Sequence, residues 1–381
     1  MNYKNENNPR SYNNQIMFVS GVRIEQTGLQ ESSEVGFIGE MNSLKVKLNE
    51  AKTSLEKDFD EKIYYQVIKQ LDRVDFLRSF IEKKFGAKHV TKAWMKMYEI
   101  LSHFKLLPRD GTVTTLHLCE APGCFIQAFD FYIQHRKLTV YYNWKAQTLT
   151  RDEGLTDQYG LIRNHADRWI KSHDDGDISS VKNILLYQKL VRADIVTSDV
   201  GLPVEKMKYR GESGYNHQEE LLSKLHLAQV TAGLHTLKAG GSLIVKTFTF
   251  FEAMSISILY LLTQCFSYVN VTKPVASRPG NSEIYLVCIG YKPVSENILK
   301  YLRKRLDSEL EPESFLFEIP KTFISHCIDL QRLLVETQIQ ALNYTVMSYQ
   351  KYRHDKTALK SEIETNKRAQ GEWLRRCHFS R

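Results

Sequence analysis

The sequence predicts an α/β protein, with a mostly parallel sheet covered by helices on both faces and helical additions at each end. Three observations carry this. Short β-branched runs ("VTTLHLC", "KLTVYYNW", "ADIVTSDV", "GSLIVKTF", "YVNVTKP" and "EIYLVCIGY") recur between about residues 88 and 292, separated by longer stretches of helical periodicity. Strand and helix in that cadence favour parallel strands joined by right-handed crossovers. Outside that span the pattern turns helical. At 381 residues and 42% hydrophobic content the chain can bury a substantial core, so one large domain with appendages is the natural division.

Residues 1–43 open with "MNYKNENNPRSYNN", rich in Asn and poor in apolar side chains, the composition of a flexible arm. From 44 to 87 the pattern is charged and helical, with Phe76, Leu77, Phe80 and Ile81 spaced to share one stripe. The α/β domain is expected over 88–295. Its clearest helix, 217–239, repeats Leu221, Leu225, Ala228 and Ala232, and Gly240-Gly241 is the expected stop. The apolar stretch 251–266, "FEAMSISILYLLTQCF", includes Glu252 and Gln264 and falls short of a bilayer span of about 20 residues. It belongs in a buried core. From 296 to 381 helices are expected; residues 351–381 hold nine Lys/Arg against four Asp/Glu, which suits a solvated helix face or contact with RNA.

The formal net charge of +8 would suit a polyanionic partner, although it is common among unrelated proteins. Six cysteines (Cys119, Cys124, Cys265, Cys288, Cys327 and Cys377) are scattered without CxxC spacing or a secretory signal, so free thiols in a reducing, intracellular compartment are expected, cytoplasmic or nuclear.

"LHLCEAPGCFIQAF", residues 116–129, breaks a strand with Glu120-Ala121-Pro122-Gly123 and resumes with helical spacing. In doubly wound folds the first strand-to-helix turn passes close to a bound cofactor. Pro122 fixes φ and Gly123 has no Cβ, so a tight bend here would leave the helix N-terminus at Cys124 and Phe125 open to a ligand. Taken alone, A-P-G-x-F fits an ordinary turn as well as a ligand loop. The absence of GxGxxG and of GKS/T argues against hydride transfer and nucleotide hydrolysis. Three further strand ends converge on the same crevice: Asp199 in "IVTSDVG", Lys246 in "LIVKTFTF" and Glu283 in "NSEIYLVCIGY". Ahead of them, "VTKAWMKMYEIL" places Lys92 and Lys96 one helical turn apart. Each has an ordinary surface or capping explanation; two lysines and two carboxylates together are harder to dismiss.

On these stretches the chain resembles the FtsJ-like ribose 2′-O-methyltransferases, and within them the viral and eukaryotic mRNA cap methyltransferases; "HLCEAPGCFI" and "NSEIYLVCIGYK" look most like the cap-2 branch. The resemblance runs in order over about residues 90–292. It implies a Rossmann-like, doubly wound methyltransferase fold, S-adenosylmethionine as cofactor, and a Lys-Asp-Lys-Glu catalytic set carried by Lys96, Asp199, Lys246 and Glu283. It places the cofactor against Glu120, Ala121, Pro122, Gly123, Cys124, Phe125 and Asp199, with Asp177 of "DGDISS" at the adenine and Trp144 or Ala146 beside the ribose. The chain departs from the family pattern at Cys124, where a second glycine is frequent, and at Val200.

A ribose hydroxyl is a weak nucleophile, so the protein must orient it and draw off a proton; no metal is required. Lys246, desolvated and near Lys96, is expected to have a lowered pKa suited to a base. Asp199 would orient that amine and Glu283 would balance Lys96. "KPVASRPGNSE" offers Lys273, Ser277, Arg278 and Asn281 to an RNA strand, with Lys92 nearby, or else Arg278 simply pairs with a carboxylate. The partner expected is the 5′ end of capped mRNA. The alternatives are a ribosomal or transfer RNA ribose methyltransferase, and an inactive RNA-binding module on the same fold.

Overall fold

Along residues 242–247, Leu243 and Val245 join one buried apolar cluster while Ile244 joins another, and the same alternation recurs at Leu286/Cys288 against Tyr285/Val287. A sheet apolar on both faces has to be covered on both. The computed structural model describes residues 17–19, 38–54, 60–150, 157–204, 207–209, 211–309, 311 and 314–379. Most of the arm expected over 1–43 lies outside them.

The sheet has seven strands: β1 (Met17–Val19), β2 (Asp110–Leu118), β3 (Thr139–Ala146), β4 (Ala193–Ser198), β7 (Leu237–Thr247), β8 (Phe266–Thr272) and β9 (Ile284–Tyr291). Their order is β1-β8-β9-β7-β4-β2-β3. A separate two-stranded ribbon pairs β5 (Lys208–Tyr209) with β6 (Glu212–Ser213). β2 is parallel to both β3 and β4, and β4 to β7, whereas β9 runs antiparallel to β7 and β8. The connections diverge on either side of β2, so a crevice opens at the carboxyl ends of β2 and β4. Because β9 runs the other way, its beginning lies at the carboxyl end of β7, with Tyr285 opposite Lys246. Residue 283 therefore arrives beside Lys246 although it precedes its strand.

One face of the sheet is covered by α4 (Lys92–Phe104) and α5 (Cys124–His135), the other by α7 (Val181–Leu190), α8 (Gln218–Thr236) and α9 (Ala253–Cys265), with the short α6 (Leu161–Asn164) beyond β3. The preface supplies α1 (Ile38–Thr53), α2 (Glu61–Leu71) and α3 (Leu77–Phe85); the C-terminal region supplies α10 (Glu296–Asp307), α11 (Lys321–His354) and α12 (Lys360–Arg376). α11 packs against both α1 and α2, and α12 against α2 and α4. Among the described residues no helix is long and apolar enough to cross a membrane.

Two expectations are corrected. Leu77 and Ile81 are buried, but Phe76 and Phe80 are 57% and 38% exposed, so the four do not share one inward stripe: residues four apart pair off, and only one pair meets the core. Gly240-Gly241 do not end the long helix. That helix stops at Thr236, and the glycines lie inside β7 where its register against β4 jumps from Ala193–Leu237 to Ile195–Ser242. Gly240 takes φ +80 there, the backbone of a bulge.

α8 is buried along almost its whole length, and Gly233 lets it lie close to β7: a Cβ at that position would sit 2.7 Å from Leu243 Cδ1. Alanine would raise helix propensity by about 1 kcal/mol, but overpacking typically costs about 1–3 kcal/mol. Gly233→Ala is expected to lower the thermal midpoint in a melting experiment, with a cost of up to about 2 kcal/mol.

Candidate active site

Four elements deliver charged side chains to one place. Thr91 caps α4 by accepting from Trp94 N at 3.1 Å, and one turn on, Lys96 projects from α4 as a buried cation. Its Nζ donates to both Glu283 oxygens, at 2.8 and 2.9 Å. Beside this pair, Lys246 Nζ on β7 lies 3.1 Å from Asp199 Oδ1 and donates to the Asp199 carbonyl at 3.0 Å. Tyr285 OH donates to Asp199 Oδ1 at 3.0 Å, and the Lys96 ammonium stands 5.8 Å from the Tyr285 ring. Lys96, Asp199, Lys246 and Glu283 thus form two neighbouring ion pairs bridged by one tyrosine.

Gly201 completes the approach, since a Cβ there would lie 3.2 Å from Lys246 Nζ.

Electrostatics overturns one expectation. Burial would lower the Lys246 pKa, but Asp199 and Glu283 outweigh it and raise it above the ordinary lysine value. Burial would raise the Asp199 and Glu283 carboxyls; Lys246 and Lys96 outweigh burial at Asp199, and Lys96 and Lys246 at Glu283, holding both below the usual range. Asp199 and Glu283 therefore rest as carboxylates, and Lys246 as an ammonium and not a neutral amine.

The loop between β8 and β9, which carries Ser277, Arg278 and Glu283, is pinned from several directions. Lys273 Nζ donates to Asn281 O and Oδ1, both at 2.8 Å, and to Glu283 O at 2.9 Å. Ser277 Oγ donates to Glu283 Oε1 at 2.8 Å. From α11, Gln338 Nε2 donates to Gly280 O at 2.9 Å while its Oε1 accepts from Ser282 at 3.2 Å. From α4, Glu99 accepts from the Val275 and Ala276 amides. Three of the five residues expected to face RNA, Lys273, Ser277 and Asn281, are therefore engaged in holding this loop. Lys92 is paired with Asp72. Arg278 is exposed and has no ion pair among the described residues.

The Glu120–Phe125 loop differs from its expected form. Gly123 takes φ +105, and the Ala121–Pro122 peptide is cis. The N-terminus of α5 is not open: Glu120 Oε1 accepts from Phe125 N at 2.7 Å and from Ile126 N at 3.1 Å, and Cys124 and Phe125 are buried. Burial pushes the Glu120 carboxyl well above its usual value despite those two amides. Over Gly123 lies Leu161, whose Cδ2 would be 2.2 Å from any Cβ. Leu161 packs on a cluster of Ile126, Trp144, Ala146 and Trp169, so Trp144 is buried under it, and is not brought to the charged cluster. Asp177 lies on a further loop, where its Oδ1 accepts from Ser179 N and Oγ, both at 2.8 Å.

Two residues that the motifs did not single out hold these loops together. Gln147 Oε1 accepts from Cys119 N at 3.2 Å and its amide donates to Gly176 O, tying the end of β2 to the Asp177 loop. Asn183 donates to the His173 and Asp177 carbonyls and accepts from His173 N. Gln147 serves partners 28 and 29 residues away, whereas Asn183 closes a loop with residues six and ten positions before it; no motif announces either.

Facing Lys246 and Glu283 is a cavity of about 1010 Å³. Its opposite wall comes from α2, α11 and α12, through Tyr64, Tyr65, Gln338, Tyr344 and Asn366. Tyr65, Tyr215 and Tyr344, all lining it, are 66%, 47% and 46% exposed.

Residues 89–291 match the FtsJ-like methyltransferase family. The chain belongs to that family. The FtsJ-like segment takes in β2–β4 and β7–β9 of the sheet, the loops at its carboxyl edge and the paired charges, and leaves β1 and the α2, α11 and α12 wall outside it. Cap-specific mRNA (nucleoside-2′-O-)-methyltransferase 2 of Danio rerio is 33% identical over 321 residues, covering 78% of this chain and 42% of that protein. Probable methyltransferase EP424R of African swine fever virus (isolate Pig/Kenya/KEN-50/1950) is 30% identical over 333 residues, covering 81% and 76%. The chain thus spans about two fifths of the length of the first of these relatives.

FtsJ-like methyltransferases use S-adenosylmethionine. The donor set here fits that cofactor in part: Asp177 has one oxygen beyond its turn bonds, and the side-chain-free Gly123 borders the crevice, with Leu161 above it. Removing the Glu120 carboxylate would leave two buried amides at the head of α5 without acceptors, a loss of about 1–3 kcal/mol each. Glu120→Ala is expected to melt several degrees lower and to bind S-adenosylmethionine more weakly, both measurable by calorimetry.

Proposed function

We propose that this protein transfers a methyl group from S-adenosylmethionine to the ribose 2′-hydroxyl of a transcribed nucleotide at the 5′ end of capped RNA. The observation that carries the proposal is the meeting of Lys96, Asp199, Lys246 and Glu283 in two adjoining ion pairs, of which Lys246 and Glu283 line a cavity large enough for a nucleotide. Relatives bearing the cap-specific name support the choice of substrate.

When bound, the cofactor supplies a methyl group on a sulfonium centre, open to in-line attack by an oxygen nucleophile. Lys246 stands where it can accept the hydroxyl proton. Asp199 orients that amine through the 3.1 Å contact, and Tyr285 holds the carboxylate in turn. Glu283, kept ionised by Lys96, faces the same cavity and accepts from the sugar alongside Ser277. Tyr65 and Tyr344 offer ring faces on which bases stack without regard to sequence. Arg278 supplies a phosphate contact. Asp177 is assigned to the adenosine end of the cofactor and the Glu120–Phe125 loop to its amino-acid end.

Because Asp199 and Glu283 raise the Lys246 pKa, the neutral base is the minor form at physiological pH. The single-turnover rate is expected to climb with pH without levelling off below the ordinary lysine value of 10.5. Lys246→Ala is expected to abolish transfer, a drop of at least about 10²–10⁴-fold, while calorimetry finds cofactor affinity near that of the parent. Retained turnover in that variant would remove Lys246 from the mechanism.

Arg278→Ala is expected to weaken RNA binding and to reduce the slope of log affinity against log salt by about 0.7, the value for one phosphate on a single strand. Substrate choice is tested with radiolabelled methyl donor and short RNAs bearing no cap, a cap with an unmodified first ribose, or a cap with a methylated one, followed by mapping of the label. Label confined to capped RNAs supports the proposal. Equal labelling of uncapped RNA points instead to a structured-RNA methyltransferase, and no labelling of any RNA to a binding module.

A further inference from the structure

We propose that Glu99 is a positioning residue through which the C-terminal helix α12 sets the loop between β8 and β9. Glu99 follows Lys96 by three residues on α4 and is 5% exposed. Its Oε1 accepts from Val275 N at 2.8 Å; its Oε2 accepts from Ala276 N at 3.3 Å and from Trp373 Nε1 of α12 at 2.9 Å. One carboxylate thus joins the helix that carries Lys96, the loop that carries Ser277 and Arg278, and a helix, Lys360–Arg376, that lies beyond the end of the FtsJ-like segment at residue 291.

Ala276 immediately precedes Ser277, whose hydroxyl donates to Glu283 Oε1, so a shift of the 275–276 amides is transmitted to the carboxylate that faces the sugar. Trp373 is 2% exposed and stacks on Phe379 at 5.8 Å, which fixes the indole N–H in direction. With that donor in place, Glu99 Oε2 is held toward Ala276. Without it Glu99 loses its link to α12, its hold on the 275 and 276 amides slackens, and the loop is supported less firmly at this end while Gln338 and Lys273 still hold the far one. The expected consequence is looser placement of RNA with the cofactor half of the site unchanged.

The proposal rests on reading the cavity as the RNA acceptor site, and the test separates the two. Trp373→Phe, which keeps an aromatic ring and deletes the N–H, and Glu99→Gln, which keeps the shape and substitutes a donor for one acceptor, are compared with the parent in the full chain. Three quantities are read: hydrogen exchange of the 275 and 276 amides, KM for capped RNA against kcat, and affinity for S-adenosylmethionine.

Faster amide exchange in Trp373→Phe, a KM for RNA raised roughly three- to tenfold, the size of one ordinary hydrogen bond felt through the loop, and unchanged cofactor affinity are expected. Glu99→Gln should give the same pattern, larger. Unchanged exchange at 275 and 276 in Trp373→Phe overturns the coupling. Faster exchange with KM unaltered overturns the positioning role. If the parent methylates no RNA, the functional reading has failed, and the exchange measurement still decides whether α12 holds the loop. Should Glu99→Gln not fold, Trp373→Phe alone decides.

Discussion

Two cations and two carboxylates sharing one poorly solvated pocket are the constraint on which the rest depends. Any one of them left alone there would cost several kcal/mol, and breaking a buried pair typically costs about 3–5 kcal/mol. Lys96 with Glu283 and Lys246 with Asp199 are tolerated because each charge meets its opposite at hydrogen-bond distance and Tyr285 and Ser277 satisfy further lone pairs. The architecture follows from bringing those groups together. A parallel strand presents Asp199 at its carboxyl end, its neighbour presents Lys246, and an antiparallel strand is needed to return Glu283 to the same edge.

That constraint also fixes the chemistry available at rest. A lysine paired this closely with aspartate is stabilised as an ammonium, so Lys246 rests protonated and the site does not hold a pre-formed neutral amine. Proximity to Lys96 pulls the other way, but the two carboxylates dominate. The decision is one of distance: Asp199 lies at 3.1 Å and accepts directly, whereas the charge of Lys96 is already answered by Glu283. Sequence motifs bring these residue types to notice without revealing which pairs with which, and the direction of a pKa depends on the pairing.

The same division between local and distant information separates what was legible in the sequence from what was not. The six principal strands of the domain could be read from β-branched runs, because alternation and turn residues are local properties. The four clustered charges could be reached through motif resemblance. The Gly240 bulge was hidden because a glycine pair after a helix reads equally as a stop, and only the register against β4 distinguishes the two. Phe76 and Phe80 were misplaced inward because spacing alone cannot say which of two neighbouring stripes meets a partner. The closing of Gly123 by Leu161, and the clamps at Gln147, Glu99 and Gln338, depend on contacts between segments far apart along the chain. No window of sequence contains them.

The loop between β8 and β9 carries a final consequence. It enters from one strand of an antiparallel pair and leaves by the other, so residues could be inserted or removed within it without disturbing the register of either. Its shape is nevertheless imposed from outside, by Glu99 on one side and Gln338 on the other. A change in the loop's length would accordingly have to be matched on α4 and α11, the two helices that shape it from outside.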